Sequence, residues 1–143
     1  MAFENPSRQE IKAILESAGN IAIVGLSDKT DRTSYMIAHA LQLRGYRIIP
    51  VNPMITEDIL GDKTYARLKD IPEPVDIVNV FRRSEYTPEV AQEAVAIGAK
   101  VLWLQLGVFS EEANQIASGN GLKVIMDRCI KVEDAVTSPV RSR

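Results

Sequence analysis

Apolar residues in this chain follow two alternating rhythms. Five short runs, at residues 21–25, 47–51, 75–81, 100–105 and 123–126, are almost continuously apolar. Runs of that length, without alternation, are expected of strands covered on both faces of a sheet. Between them, apolar positions recur at the three- and four-residue spacing of an amphipathic helix. Ser7-Arg8-Gln9-Glu10 has the capping-box pattern, with Ile11, Ile14, Leu15 and Ala18 on one helical face behind it and Gly19 as a stop. A second helix is predicted over residues 34–44, ending at Gly45, with Met36, Ile37, Ala40 and Leu41 as its apolar stripe. A third starts at Thr87, with Pro88 at its first position, and stops at Gly98. A fourth starts at Ser110, where Glu111 and Glu112 suit the positive end of the helix dipole. Ile59-Leu60 reads as a short edge strand, residues 65–71 as one or two helical turns, and residues 137–143 as a frayed, flexible tail.

This alternation predicts an α/β fold of the Rossmann-like, doubly wound kind: a mainly parallel sheet of five to six strands, helices on both faces and right-handed crossovers. The expected order places residues 21–25 centrally, between 47–51 and 75–81. No repeat or linker interrupts the pattern, so residues 1–143 are expected to form one domain.

Ligands of open parallel sheets bind beyond the carboxyl ends of the strands, near the switch in strand order. Those ends carry Gly25 and Ser27, then Asn52 and Pro53, then Phe81, Arg82 and Arg83, then Gln105 and Gly107, and last Asp127, Arg128 and Cys129. The first has the strand–turn–helix layout of a nucleotide-binding turn, yet G-x-G-x-x-G is absent, because Leu26 and Ser27 follow Gly25. Lys29 and Arg32 occupy the loop instead, where they could add charge-assisted hydrogen bonds to a phosphate on the helix start. The plain alternative is a turn glycine and two solvated cations.

At the second strand end an NAD site usually has an acid for the ribose hydroxyls, and none occurs here before Glu57. Asn52 can bond a ribose or a base edge and Pro53 can offer a flat apolar face, although Asn-Pro is also an ordinary turn dipeptide. Phe81 suits stacking on a base or a pantetheine arm and equally suits the core. Arg82 and Arg83 point to opposite sides of an extended segment, so one of them faces a ligand, and Arg82 is the preferred candidate. Gln105 ends the run Val-Leu-Trp-Leu as a polar residue, which favours a site role, with Trp103 packed beneath it.

Composition narrows the class. A net charge of -2 argues against a broad basic face for nucleic acid. No apolar run has the length of a membrane span, and residues 1–10 lack the pattern of a secretory leader. Cys129 is the single cysteine, which precludes an internal disulfide and fits a reducing cytoplasm. His39, the single histidine, falls off its helix's apolar stripe, so neither a Ser-His-Asp triad nor a histidine metal cluster can be assembled. Cys129 lacks the C-x-x-C spacing of a metal or redox pair, and a buried structural thiol is its default reading. This inventory favours a binding module over an enzyme.

The strand-end residues resemble a known family. Residues 21–27, Arg32-Thr33-Ser34, Gly45-Tyr46, 50–53, Leu60-Gly61, 71–81 with Arg82-Arg83-Ser84, 103–107 and 127–130 are similar to the stand-alone CoA-binding proteins of bacteria and archaea. These share a fold with the CoA-binding domain of the succinyl-CoA synthetase α subunit. Val-Asn-Pro, Phe-Arg-Arg-Ser, Trp-Leu-Gln-Leu-Gly and Asp-Arg-Cys are together the distinctive part. The resemblance implies coenzyme A as ligand. It puts Gly25, Ser27, Arg32 and Ser34 around the phosphates, Asn52 and Pro53 near the adenosine, and Phe81, Arg82, Gln105 and Gly107 along the cleft. Lys29 and Arg128 join these as candidate contacts. Separately from the resemblance, Cys129, if it lies near the pantetheine end, is a candidate redox thiol that could form a mixed disulfide with CoA under oxidation.

The synthetases' second domain, with its phosphorylated histidine, and their nucleotide-grasping partner have no counterpart in the sequence. The expectation is therefore a cytoplasmic, non-catalytic module that binds CoA or an acyl-CoA, with no nucleic-acid or membrane partner. A homo-oligomer or a protein partner is left open. The alternatives are an NADP-dependent oxidoreductase, in which Arg32 or Arg82 holds the extra phosphate, and a subunit of a split acyl-CoA ligase.

Overall fold

The five apolar runs become five parallel strands. A computed structural model describes residues 3–141. In chain order the elements are α1 (Arg8–Ser17), β1 (Asn20–Val24), α2 (Thr33–Leu43), β2 (Arg47–Val51), β3 (Ile77–Val80), α3 (Thr87–Ala96), β4 (Val101–Leu104), α4 (Glu111–Ser118), β5 (Lys123–Ile125) and α5 (Ile130–Thr137). The sheet order is β2-β1-β3-β4-β5, with β1 between β2 and β3 as the pattern predicts. The chain moves outward from β1 in one direction and then returns past it to continue in the other. The switch point is therefore the gap between β1 and β3.

Alternate strand residues serve opposite layers. Ile21, Ile23, Ile48 and Trp103 pack under α1, α2 and α5 with Ile11, Leu15 and Leu41. Ala22, Val24, Val78 and Leu102 meet Ala91, Ala94 and Ala113 of α3 and α4 on the other face. Ser7 caps α1 by accepting from the Glu10 N–H at 3.2 Å. Among the described residues no helix is long and apolar enough to cross a membrane.

Several sequence expectations need correction. Ile59 joins no strand of the sheet and makes only an isolated antiparallel bridge to Asp62. Of residues 65–71 only Leu68–Asp70 is helical, as one tight turn, while Tyr65 bridges Val51 on the outer side of β2. The apolar stripe of α2 is Ile37, Ala38 and Leu41, and Met36 is 56% exposed. The stripe starts at buried Ser34, whose hydroxyl is turned inward by accepting the Ser27 N–H, so a polar residue disguises the phase. Helix α5 has no counterpart in the sequence pattern, because it buries Glu133 and Asp134 and exposes Val132 and Val136.

Within the expected tail, Thr137 ends α5 and Arg141 makes contacts with the body of the fold. Arg141 donates to the Leu15 and Ala18 carbonyls at 2.6 and 2.7 Å, and its guanidinium lies 3.5 Å from the centre of the Tyr46 ring. Residues 142 and 143 lie outside the described residues.

Asp76, just before β3, ties the amino end of the sheet together. Its Oδ2 accepts the N–H groups of Gly19 and Asn20, both at 2.9 Å, and Lys100 lies 3.5 Å from Oδ1. Burial pushes its carboxyl up, but the two backbone donors and the Lys100 charge outweigh burial and hold it below the usual range. The folded-state pKa being the lower one, this stabilisation is complete above the unfolded value of about 3.9 and is lost as pH falls below it. Asp76→Asn is expected to lower the melting temperature at pH 7, with the gap to wild type closing below about pH 4. Thermal melts across pH 2–7 check this, and a gap that does not change with pH contradicts it.

Candidate functional site

At the switch point the chain comes closer than any side chain would allow. Gly25 continues β1 by donating to the Val51 carbonyl at 2.8 Å, then turns with φ of 85°. A Cβ on it would lie 2.4 Å from the Phe81 carbonyl oxygen. Only glycine gives both this turn and this approach.

The loop that follows is built by its own serines. Ser27 donates its N–H to Ser34 Oγ at 3.0 Å, and its own Oγ accepts the Lys29 N–H at 3.0 Å. Arg32 opens α2 without a side-chain cap, which leaves first-turn N–H groups of an eleven-residue helix for an anion. The Lys29 and Arg32 side chains are exposed beside it, in no ion pair among the described residues. Ser27 and Ser34 thus shape the loop, while Lys29 and Arg32 supply its free charge.

Asn52 joins the second strand end to the first. Its Nδ2 donates to the Leu26 carbonyl at 3.0 Å, and its Oδ1 accepts the Met54 N–H at 2.9 Å. The amide is largely committed to holding two loops, with exposed Pro53 beside it. Pro53 and half-buried Arg82 line a narrow cleft of about 130 Å³ with Val24, Val51 and Arg67. Arg82 also lies over Tyr86, its guanidinium 5.1 Å from the ring centre. Arg83 is exposed, precedes the tight turn Ser84–Tyr86 and does not line this cleft. Arg67 carries no signal in the sequence, because it comes from the irregular segment that only the Tyr65 bridge pins to β2.

Phe81 is half-buried against the α1/α2/α5 layer, and Cys129 is half-buried against the same layer. Gln105 is nearly enclosed. Its Oε1 accepts from Asn79 Nδ2 at 3.2 Å and from the Ile130 N–H at 3.4 Å, which joins β3 and β4 to the start of α5. Asn79 is an addition to the sequence-based candidates, although a polar residue inside the run Ile-Val-Asn-Val is an available signal. Gly107, with φ of 84°, donates to Asp127 Oδ1 at 2.7 Å, and Trp103 Nε1 donates to the Arg128 carbonyl at 2.9 Å. The loop after β5 is thereby clamped over β4. The Arg128 guanidinium folds back to the Asp127 carbonyl at 2.8 Å and lines a separate hollow beside residues 3–8. The fold does not gather it with Arg82 and Pro53.

Roomier hollows lie elsewhere. One of about 770 Å³ opens at the amino ends of the strands, over Ile14, Ile77 and Val101. Its charged groups include the Asp76–Lys100 pair, already matched. Groups from four strand ends converge on the carboxyl edge, so that edge is the better candidate despite its narrower cleft.

Known proteins are similar to this chain in sequence and fold. YneT of Bacillus subtilis, an uncharacterized protein, is 55% identical over 135 residues, which are 94% of this chain and 99% of YneT. A hypothetical protein of Pyrococcus horikoshii OT3 superposes with a TM-score of 0.89 at 32% identity, over 96% of this chain and 99% of that one. The ADP-forming acetate–CoA ligase II of Archaeoglobus fulgidus is 31% identical over 98 residues, but these are 67% of this chain and only 14% of the ligase. The model of the CoA binding domain matches residues 19–135, from the residue before β1 into α5, and so the chain belongs to the CoA-binding domain family.

Proposed function

We propose that the protein binds coenzyme A or an acyl-CoA along the carboxyl edge of its sheet, as a binding or regulatory module with no catalytic residues of its own. One observation carries this reading beyond family membership. It is the strand order β2-β1-β3-β4, along which the proposed contacts follow the sequence of the parts of CoA. Pro53 and Asn52, just after β2, suit the adenosine, and the uncapped start of α2 with Lys29 and Arg32 suits the phosphates. Phe81 and Gln105, after β3 and β4, then follow as the wall for a pantetheine arm. Ser27 and Ser34 are committed to loop hydrogen bonds, and His39 is exposed on α2, which fits binding rather than nucleophilic chemistry. The reducing cytoplasm is the compartment that suits this ligand and a single thiol.

Calorimetric titration of CoA, acetyl-CoA, NAD and NADP into one preparation tests the reading. CoA or acetyl-CoA is expected to bind at least about tenfold more tightly than either nicotinamide nucleotide, a difference of about 1.4 kcal/mol. NADP binding without CoA binding would overturn it in favour of the oxidoreductase. Arg32→Ala is expected to weaken CoA by about tenfold, the scale of one charge-assisted phosphate contact, with the loss shrinking at high salt.

A second reading, a subunit of a split acyl-CoA ligase, is favoured by the likeness to the acetate–CoA ligase. On that reading the remaining parts of such an enzyme come from another chain. Acyl-CoA formation from a carboxylate, CoA and ATP is then expected only when a partner is supplied, and co-purification followed by that assay tests it.

A further inference from the structure

We infer that Cys129 marks the thiol end of the ligand track, and that oxidised CoA loads onto it as a mixed disulfide. The inference rests on the CoA reading and adds a covalent state to it. Cys129 is held in place: the Arg128 carbonyl before it is bonded to Trp103 Nε1, and Asp127 is bonded to both Gly107 and Val108. Although it occupies the N-cap position of α5, its side chain makes no capping bond, so its sulfur is not committed to the helix.

A second observation points to a ligand at this spot. Gln105 is 5% exposed, and both hydrogen bonds of its amide are made by Oε1. Its Nε2 donates to no acceptor among the described residues. Behind it Asn79 is wholly buried, with Oδ1 lacking any partner among the described residues. A nearly enclosed amide with an unused donor, one hydrogen bond from the residue after Cys129, is what an amide-bearing thiol requires. The pantetheine arm is such a group. The span also fits: β3, β4 and β5 lie one, two and three steps of about 4.8 Å from the phosphate loop at β1, a reach that an extended arm covers.

The chemistry is an exchange with no net oxidation. The Cys129 thiolate, its proton given to solvent, attacks one sulfur of CoA disulfide. A Cys129–CoA disulfide forms, the CoA–CoA disulfide breaks, and the second CoA departs as a thiolate that solvent protonates.

The test incubates the reduced, full-length chain with CoA disulfide and, separately, with glutathione disulfide, and follows intact mass with time. One CoA adduct per chain is expected, reversible by dithiothreitol. The chain has one cysteine, so the adduct's position is unambiguous. The CoA adduct is expected to form at least about ten times faster than the glutathione adduct, and excess desulfo-CoA, which binds but cannot react, is expected to slow it. Gln105→Leu is expected to bring the CoA rate down toward the glutathione rate. Equal rates with both disulfides, or no protection by desulfo-CoA, make Cys129 an ordinary accessible thiol and overturn the inference. No adduct in a preparation that binds CoA by calorimetry overturns it while leaving the CoA reading intact, whereas absence of CoA binding removes the reading beneath it.

Discussion

Gly25→Ala is expected to cost about 3 kcal/mol of stability and to abolish measurable CoA binding. Two effects add. The residue has φ of 85°, a conformation that costs a residue with a Cβ about 1–2 kcal/mol. The new methyl would also lie 2.4 Å from the Phe81 carbonyl oxygen, which is backbone and cannot swing aside. Relief requires the ends of β1 and β3 to part, and overpacking of this kind typically costs a further 1–3 kcal/mol or so. Parting them moves the Ser27–Ser34 loop on one side and Phe81 on the other, the two walls of the proposed phosphate and pantetheine track. Gly107→Ala separates the two effects, because Gly107 has nearly the same φ, 84°, and a Cβ added to it would meet nothing within 4 Å. It is expected to lose only the conformational part, about 1–2 kcal/mol. Chemical denaturation of both variants, with CoA titration on the folded fraction, gives the comparison. Equal losses in the two would show that the Gly25–Phe81 approach is not what the site depends on.

The sequence discloses what burial on both faces writes plainly and conceals what polar residues do from inside. The β strands are visible because nearly every position in them is apolar, and the neighbours of β1 follow from the Rossmann-like strand order that the alternation of strand and helix suggests. The phase of α2 is hidden because Ser34, the first residue of its inward stripe, is spent on the Ser27 N–H. Helix α5 is hidden more thoroughly: its inward positions carry Glu133 and Asp134, matched by arginines distant in sequence, and its outward positions carry valines. The candidate site shows the same division. Its residues are legible as a set because they cluster at strand ends, but their tasks are not. Asn52 and Gln105 look like ligand-facing amides in a string of letters, and in the fold they first hold loops and helix ends together. Arg67 has no sequence signature, since an irregular segment has no periodicity to say where its side chains go.

Asp134→Ala is expected to remove about 3 kcal/mol of stability, about 10 °C in melting temperature for a chain of this size, while leaving CoA affinity unchanged at temperatures where the variant is folded. The Asp134 carboxylate is almost fully buried, with Oδ2 2.8 Å from Arg44 Nε and Oδ1 2.6 Å from the Tyr46 hydroxyl. Arg44 is half exposed and recovers water when the carboxylate goes, so its share of the loss is the smaller one. Tyr46 is buried and does not: its hydroxyl is left without an acceptor, at a cost of about 1–3 kcal/mol. Burial, and then the bond to Asp134, pushes the phenol's pKa well above its ordinary value. The neutral phenol is therefore the folded form, and its contribution is complete below about pH 10 and lost as the unfolded phenol ionises above that. The Tyr46 ring also carries the Arg141 guanidinium, which holds the end of α1 through the Leu15 and Ala18 carbonyls. Loss of Asp134 thus loosens α2, α5 and the end of α1 together, on the layer behind the site rather than at its edge. Asp134→Asn keeps an acceptor for Tyr46 and is expected to lose about half as much. A loss below about 1 kcal/mol for Asp134→Ala would mean that the buried carboxylate fixes the geometry of α5 without stabilising it. A fall in CoA affinity as large as that of Gly25→Ala would mean that α5 and the ligand track are one mechanical unit.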